Sequence, residues 1–248
     1  MAFFSNYASF LPLSLLILSF SLLQTTLSLY PLFTICSPSG NYTSNTPYST
    51  NLKKTLSQLY LKTPPKGFGR AIFGPTESRA HGLALCRGDV SPKDCAACMA
   101  EAGREATQRC PNNKAVVVWY DDCYVKYSDV DFFGKIDAQN RFYMWNLRNV
   151  SNYGGEFIQK TTCLLKELAG EASESKKMFA SGEVEFDGGK NKIYGMAQCS
   201  RDLSKVDCKK CVDDAVGELP LCCEGKEGGR VVGGSCSIRY EIYPFLHL

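Results

Sequence analysis

Apolar side chains recur along this chain in short blocks whose period changes from block to block. Leu52, Leu56 and Leu59–Tyr60 fall at i, i+4 and i+7 across Asn51–Leu61, the spacing that gives a short helix one apolar face. Pro64-Pro65 ends that block, because proline cannot continue the hydrogen-bond ladder. Gly67–Phe73 and His81–Leu85 are apolar or aromatic runs on either side of Gly74-Pro75 and read as paired strands. Ser91 then stands where a helix N-cap belongs, with Pro92 suited to the first helical position and Asp94 to the positive N-terminal end. Ala115–Tyr120 and Cys123–Tyr127 read as two strands joined near Asp121-Asp122. Residues 29–50, rich in Ser, Thr, Asn and Pro, read as an irregular lead-in.

The same order then returns. A helix is predicted over about Gly155–Ala172, strands near Met178–Phe186 and Ile193–Gln198, a helix from Ser204, and closing strands at Arg230–Val232 and Ser237–Tyr243. An antiparallel sheet with helices on one face, an α+β domain, is the economical arrangement for each copy. The stretch between the copies carries Phe132, Phe133, Phe142, Tyr143, Met144 and Trp145. It is too apolar for a solvated tether and is expected to pack between the domains. The division is therefore residues 1–28 as a signal peptide, 29–134 as the first domain, 135–152 as a packed connector and 153–246 as the second domain.

Cysteine spacing makes the repeat explicit. Cys86, Cys95 and Cys98 follow C-x8-C-x2-C, as do Cys199, Cys208 and Cys211, 113 residues later. The same offset carries Cys110 onto Cys223, Cys123 onto Cys236, Asp94 onto Asp207 and Tyr127 onto Tyr240 without a gap. Thirteen cysteines in 248 residues form a disulfide framework in an oxidising compartment and suggest metal in the cytosol. Structural zinc needs a second ligand pair, and the two histidines, His81 and His247, are not near such a pair. The C-x2-C spacing also suits a redox motif, but the upstream and downstream cysteines at fixed distances favour structural bridges. Cys95 and Cys98 lie three apart on one helix, a poor geometry for pairing with each other. Spacing alone leaves 15 pairings open for six cysteines.

Charge changes the picture little. The net charge of +3 argues for no nucleic acid. No Gly-rich phosphate loop precedes a helix, and neither histidine has a nucleophile context, so the chain reads as non-enzymatic and without a cofactor. Phe10–Leu23 is an apolar core of signal-peptide length, too short to span a bilayer. No Lys or Arg precedes it, which keeps an uncleaved anchor or a buried apolar helix as alternatives. No later stretch has transmembrane length, so the mature protein is expected to be secreted, without a membrane span. Two sequons, at Asn41 and Asn149, fit that route.

The doubled motif, with Gly228-Gly229-Arg230-Val231, Cys236 and Arg239-Tyr240-Glu241-Ile242-Tyr243-Pro244-Phe245 at its close, resembles the plant cysteine-rich repeat secretory proteins. Their unit is the ginkbilobin-like domain, also found outside cysteine-rich receptor-like kinases and plasmodesmata-located proteins. The resemblance covers about residues 30–246, and the chain stops just after the closing motif, as in the secreted members. It implies two tandem domains, each with two helices packed on a five-stranded antiparallel sheet. It also implies bridges Cys36–Cys110, Cys86–Cys95, Cys98–Cys123, Cys199–Cys208 and Cys211–Cys236. Nothing matches Cys36 in the second domain, which leaves Cys163, Cys222 and Cys223 unassigned. Because thirteen is odd, at least one thiol is left over, and a buried, inert place is the favoured expectation for it over an intermolecular bridge.

The family includes an antifungal lectin that holds mannose through an Asn after the first cysteine, an Arg six before the last cysteine and a Glu five after it. Arg230 and Glu241 occupy the second and third positions in the second domain. In the first domain the three positions hold Ser37, Val117 and Ser128, and in the second the Asn has no aligned counterpart. A cationic fork and a carboxylate can hold a pair of sugar hydroxyls from two sides. The plainer reading makes Arg230 and Glu241 a strand–strand ion pair. Trp119, Tyr120, Phe132, Phe133 and Trp145 read as core and interface packing before a ligand shelf. The chain is thus expected to be an apoplastic binding protein, for mannose-type glycans or antifungal and stress defence. The alternative is an extracellular protein–protein module related to receptor ectodomains.

Overall fold

The computed structural model describes residues 30–38, 40–151 and 154–247, and the expected signal peptide lies outside them. The first domain runs β1 (Phe33–Cys36), α1 (Pro47–Lys62), β2 (Phe68–Phe73), β3 (Ala80–Cys86), α2 (Pro92–Arg109), β4 (Val116–Trp119) and β5 (Cys123–Ser128). The second runs β6 (Arg141–Trp145), α3 (Gly154–Glu174), β7 (Phe179–Phe186), β8 (Asn191–Cys199), α4 (Lys205–Gly217), β9 (Gly228–Gly233) and β10 (Cys236–Glu241), with a short helical turn at Leu219–Cys222. The strands form two five-stranded antiparallel sheets of equivalent order, β1-β4-β5-β3-β2 and β6-β9-β10-β8-β7. The fold is α+β, two helices on one face of each sheet.

Local chemistry explains the helix starts. Ser91 Oγ accepts from the Asp94 backbone N–H at 3.2 Å and donates to the Asp94 carboxylate at 2.7 Å. Ser204 and Asp207 repeat the pair at 3.0 and 2.6 Å. Each cap satisfies an N–H that the first turn leaves open and sets an acid at the positive end of the helix dipole.

Two short strands depart from the sequence reading. The lead-in over residues 29–50 contains β1 and the start of α1, whose N-cap is Thr46. Residues 141–145, given above to the connector, form β6, hydrogen-bonded along β9 from Arg141↔Gly233 to Trp145↔Gly229. The strand alternates: Phe142 and Met144 turn to the helix-free face of the sheet, while Tyr143 and Trp145 are more exposed. Trp145 is half exposed, so it is not the packing residue the composition suggested.

Bridges join Cys36–Cys110, Cys86–Cys95, Cys98–Cys123, Cys199–Cys208 and Cys211–Cys236. The sixth links the adjacent Cys222 and Cys223. Cys163 is free and lies exposed on α3, not in the interior.

Helices cover one face of each sheet, and the two helix-free faces cover one another. Val117, Trp119, Phe142 and Val232 form a buried cluster at that junction, flanked by Leu32, Ile35, Tyr124 and Met144. Phe33 stacks on Phe142 at 5.1 Å, and Trp119 meets it edge-on at 5.3 Å. The Trp119 indole N–H donates to the Gly233 carbonyl at 3.1 Å, and the Gln198 amide donates to the Cys86 carbonyl at 3.0 Å. Gly88 lies so close to the Phe179 ring that a Cβ there would fall into it. Truncating a buried Trp costs about 3–5 kcal/mol, and here it would also remove the hydrogen bond to the Gly233 carbonyl.

Two outcomes follow from this packing. Trp119→Ala is expected to lower the denaturant midpoint strongly and expose the junction to hydrogen exchange, both measurable on the purified chain. Maleimide labelling without denaturant is expected to modify one thiol per chain, and Cys163→Ser to abolish labelling while leaving the melting temperature unchanged.

Candidate carbohydrate site at the domain junction

The site is built on the helix-free face of the second sheet. Arg230 on β9 stands directly opposite Arg239 on β10, and Gly228 opposite Glu241. Directly paired antiparallel residues point to the same face, as do residues two apart on one strand. Arg230, Arg239 and Glu241 therefore share a surface.

Strand pairing also supplies the residue that the sequence reading lacked. β6 holds the place in the second sheet that β1 holds in the first. Phe33 pairs with Trp119 and Cys36 with Val116, just as Phe142 pairs with Val232 and Trp145 with Gly229. Trp145 thus stands at the position of the first cysteine, and the residue after it is Asn146. Its backbone N–H donates to the Gly228 carbonyl at 2.9 Å, extending the ladder by one residue. Its side-chain amide donates to Glu241 Oε2 at 3.2 Å. The spacing hid this because Phe142 lies 109 residues after Phe33, four short of the repeat's offset. A search for an aromatic-led alternating strand followed by Asn would have found it. Gly228 lets the two side chains meet, since a Cβ there would fall on the Glu241 carboxylate and beside the Asn146 amide.

Arg230 and Glu241 do not pair with each other. Glu241 is buried, and its Oε1 accepts from Arg239 Nε at 2.9 Å. Arg230 donates instead to Asp121, from the β4–β5 turn of the first domain, whose carboxylate is also 3.7 Å from Arg239 Nη1. The Arg239 guanidinium lies 4.0 Å from the Phe245 ring centre, a cation–π contact. Alongside, Arg87 holds Asp89 at 2.6 Å and Asp122 at 3.2 Å. The His247 backbone N–H donates to Asp89 at 2.8 Å, while its ring lies 3.3 Å from Asp122.

In the first domain Val117 is buried in the junction, while Ser128 and Ser37 border a groove with Lys126, Phe132 and Asp137. Lys126 is bonded to Asp137 at 2.5 Å and stands over the Phe132 ring at 4.5 Å. Asn41 and Asn149, the sequon residues, are exposed. Among the described residues no group of His, Cys, Asp or Glu is arranged to hold a metal ion.

The profile of the salt stress response/antifungal family matches residues 35–130 and 146–243, one copy over each domain. The chain belongs to this family. It is 49% identical over 235 residues to the antimicrobial ginkbilobin-2-like protein of Castanea crenata, covering 92% of this chain and 97% of that one. Against cysteine-rich repeat secretory protein 38 of Arabidopsis thaliana it is 53% identical over 218 residues, covering 87% and 85%. The solved tandem DUF26 ectodomain of the Arabidopsis thaliana cysteine-rich receptor-like protein PDLP8 superposes with a TM-score of 0.78 at 26% identity, covering 88% of this chain and all of that one. Like its relatives named as secretory proteins, this family member is secreted. No helix among the described residues is long and apolar enough to cross a membrane.

The charged cluster has a pH signature. Burial of the Asp89 carboxyl acts to raise its pKa, but the hydrogen bond and charge of Arg87, with the His247 N–H, outweigh it and hold the group below its ordinary 3.8. A depressed carboxyl stabilises the fold fully above its unfolded pKa, and the contribution is lost as pH falls through the lower folded value. The Asp89 resonance is accordingly expected to titrate below pH 3.8. Arg87→Met should move it upward and begin acid unfolding at a higher pH, as NMR and circular dichroism titrations would report.

Proposed function

We propose that this chain is a non-catalytic recognition protein of stress and antifungal defence in the extracellular space, and that its second domain takes carbohydrate at Asn146, Arg230 and Glu241. The observation that carries this reading is the register of β6. It sets an Asn beside Glu241 on the face that also carries Arg230, so all three group types of the lectin pattern lie together. Amide, guanidinium and carboxylate supply the donors and the acceptor that a vicinal diol needs. The antimicrobial name of the Castanea crenata relative supports a defence role.

A second reading rests on a separate surface. β6 is an edge strand, and it leaves Tyr143, Trp145 and the following Leu147 exposed. Exposed apolar groups on a sheet edge suit a protein partner. The chain also resembles cysteine-rich receptor-like protein kinase 25 of Arabidopsis thaliana, at 37% identity over 219 residues spanning 32% of that protein.

The deciding measurement is a titration of the secreted, glycosylated protein against mannose, mannan and a panel of wall glycans. Saturable binding that drops at least about tenfold in Asn146→Ala, Arg230→Ala and Glu241→Ala is the expected result. Failure of every glycan to bind correctly folded protein overturns the carbohydrate reading. Trp145→Ala is expected to leave glycan binding intact, and a partner protein lost with that variant would support the second reading.

A further inference from the structure

We propose that the sugar this site selects is acidic, a uronic acid whose carboxylate takes the place of Asp121 on Arg230. The inference rests on the carbohydrate reading above and adds the charge of the ligand. Glu241 is committed to Arg239 and Asn146, buried within its own domain. Among the described residues the carboxylate paired with Arg230 is that of Asp121, which reaches the site from the other domain on an exposed turn. It stands within 3.7 Å of Arg239 as well, so two guanidiniums face one visiting carboxylate. Asp121 occupies the position of a ligand acid.

The cleft beside it, lined by Tyr120, Asp121, Arg230, Ser237 and Arg239, encloses about 60 Å3, too little for a pyranose. A sugar therefore reaches Arg230 only as Asp121 withdraws. A guanidinium has five donors, no acceptor and a fixed charge. A neutral sugar would leave the largely buried Arg230 without a counter-charge, and breaking a partly desolvated pair is unfavourable. A uronate restores the balance: its carboxylate accepts two parallel bonds from Arg230, and its ring hydroxyls meet Asn146, which Glu241 holds in place. The nearby acids Asp89 and Asp122 are held by Arg87 and point their charge there.

The test titrates the full secreted chain with a galacturonic acid trimer, the neutral galactose trimer and mannose, at low and high salt. The acidic trimer is expected to bind about tenfold more tightly than either neutral sugar, with affinity falling as salt rises. Asp121→Asn removes the internal competitor and should raise affinity for the acidic trimer several-fold, while Arg230→Gln should erase the preference for acid. Melting temperature and native thiol count confirm that each variant is folded. A neutral sugar bound as tightly as the acidic trimer overturns the acid selection and leaves the carbohydrate reading standing. Unchanged acid affinity in Asp121→Asn overturns the displacement. No binding of any of the three sugars to folded wild type and Asp121→Asn overturns the acid selection, and the wider glycan panel then decides the carbohydrate reading.

Discussion

Each sheet carries helices on one face only, and the apolar face left over must be covered by something. In this protein the two bare faces meet, and the rest of the arrangement depends on that contact. Trp119 fills the centre of it, packed on Phe142 and hydrogen-bonded through its indole to the opposite domain. A hydrogen bond buried among apolar side chains gives a greasy contact one register, because sliding the sheets would strand the indole N–H. The same register sets the β4–β5 turn above β9 and so brings Asp121 to Arg230.

Much of the fold was legible from spacing and capping residues. The doubled C-x8-C-x2-C, Ser91 and Ser204 as caps, and the apolar runs that became β3, β5, β8 and β10 are local signals with a local cause. What escaped was short, marginal or non-local. β1 and β6 have only four and five residues, too few for their alternation to stand out beside polar neighbours or inside an aromatic cluster. Losing the first cysteine of the second copy removed the marker that would have aligned Asn146. The repeat also contracts by four residues there, so a constant offset passes over it. The Cys222–Cys223 bridge had no counterpart in the first domain to suggest it.

The charges illustrate a different limit. From the sequence Arg230 and Glu241 read as partners in a strand–strand ion pair, and the register does set them on one face. Their true partners are Asp121 and Arg239. One of these lies two residues along the same strand, and the other belongs to the other domain. Side-chain pairing across an interface is decided by how whole domains dock, which no window of sequence contains.

The edge strands of the two domains are fastened by different means. Cys36 ties β1 covalently to Cys110 at the end of α2, whereas β6 holds Trp145 where that cysteine would be and Cys223 has turned to its neighbour. Tension applied to β1 therefore passes through a sulfur–sulfur bond into a helix terminus. Tension applied to β6 is carried without a covalent tie, by backbone hydrogen bonds, packing and the side-chain bonds of Arg141 and Tyr143 to Glu218. The weld protects one domain from unzipping at its edge, and the other domain would peel from the strand that leads into Asn146. Mechanical yielding and loss of the Asn146–Glu241 contact would then be one event.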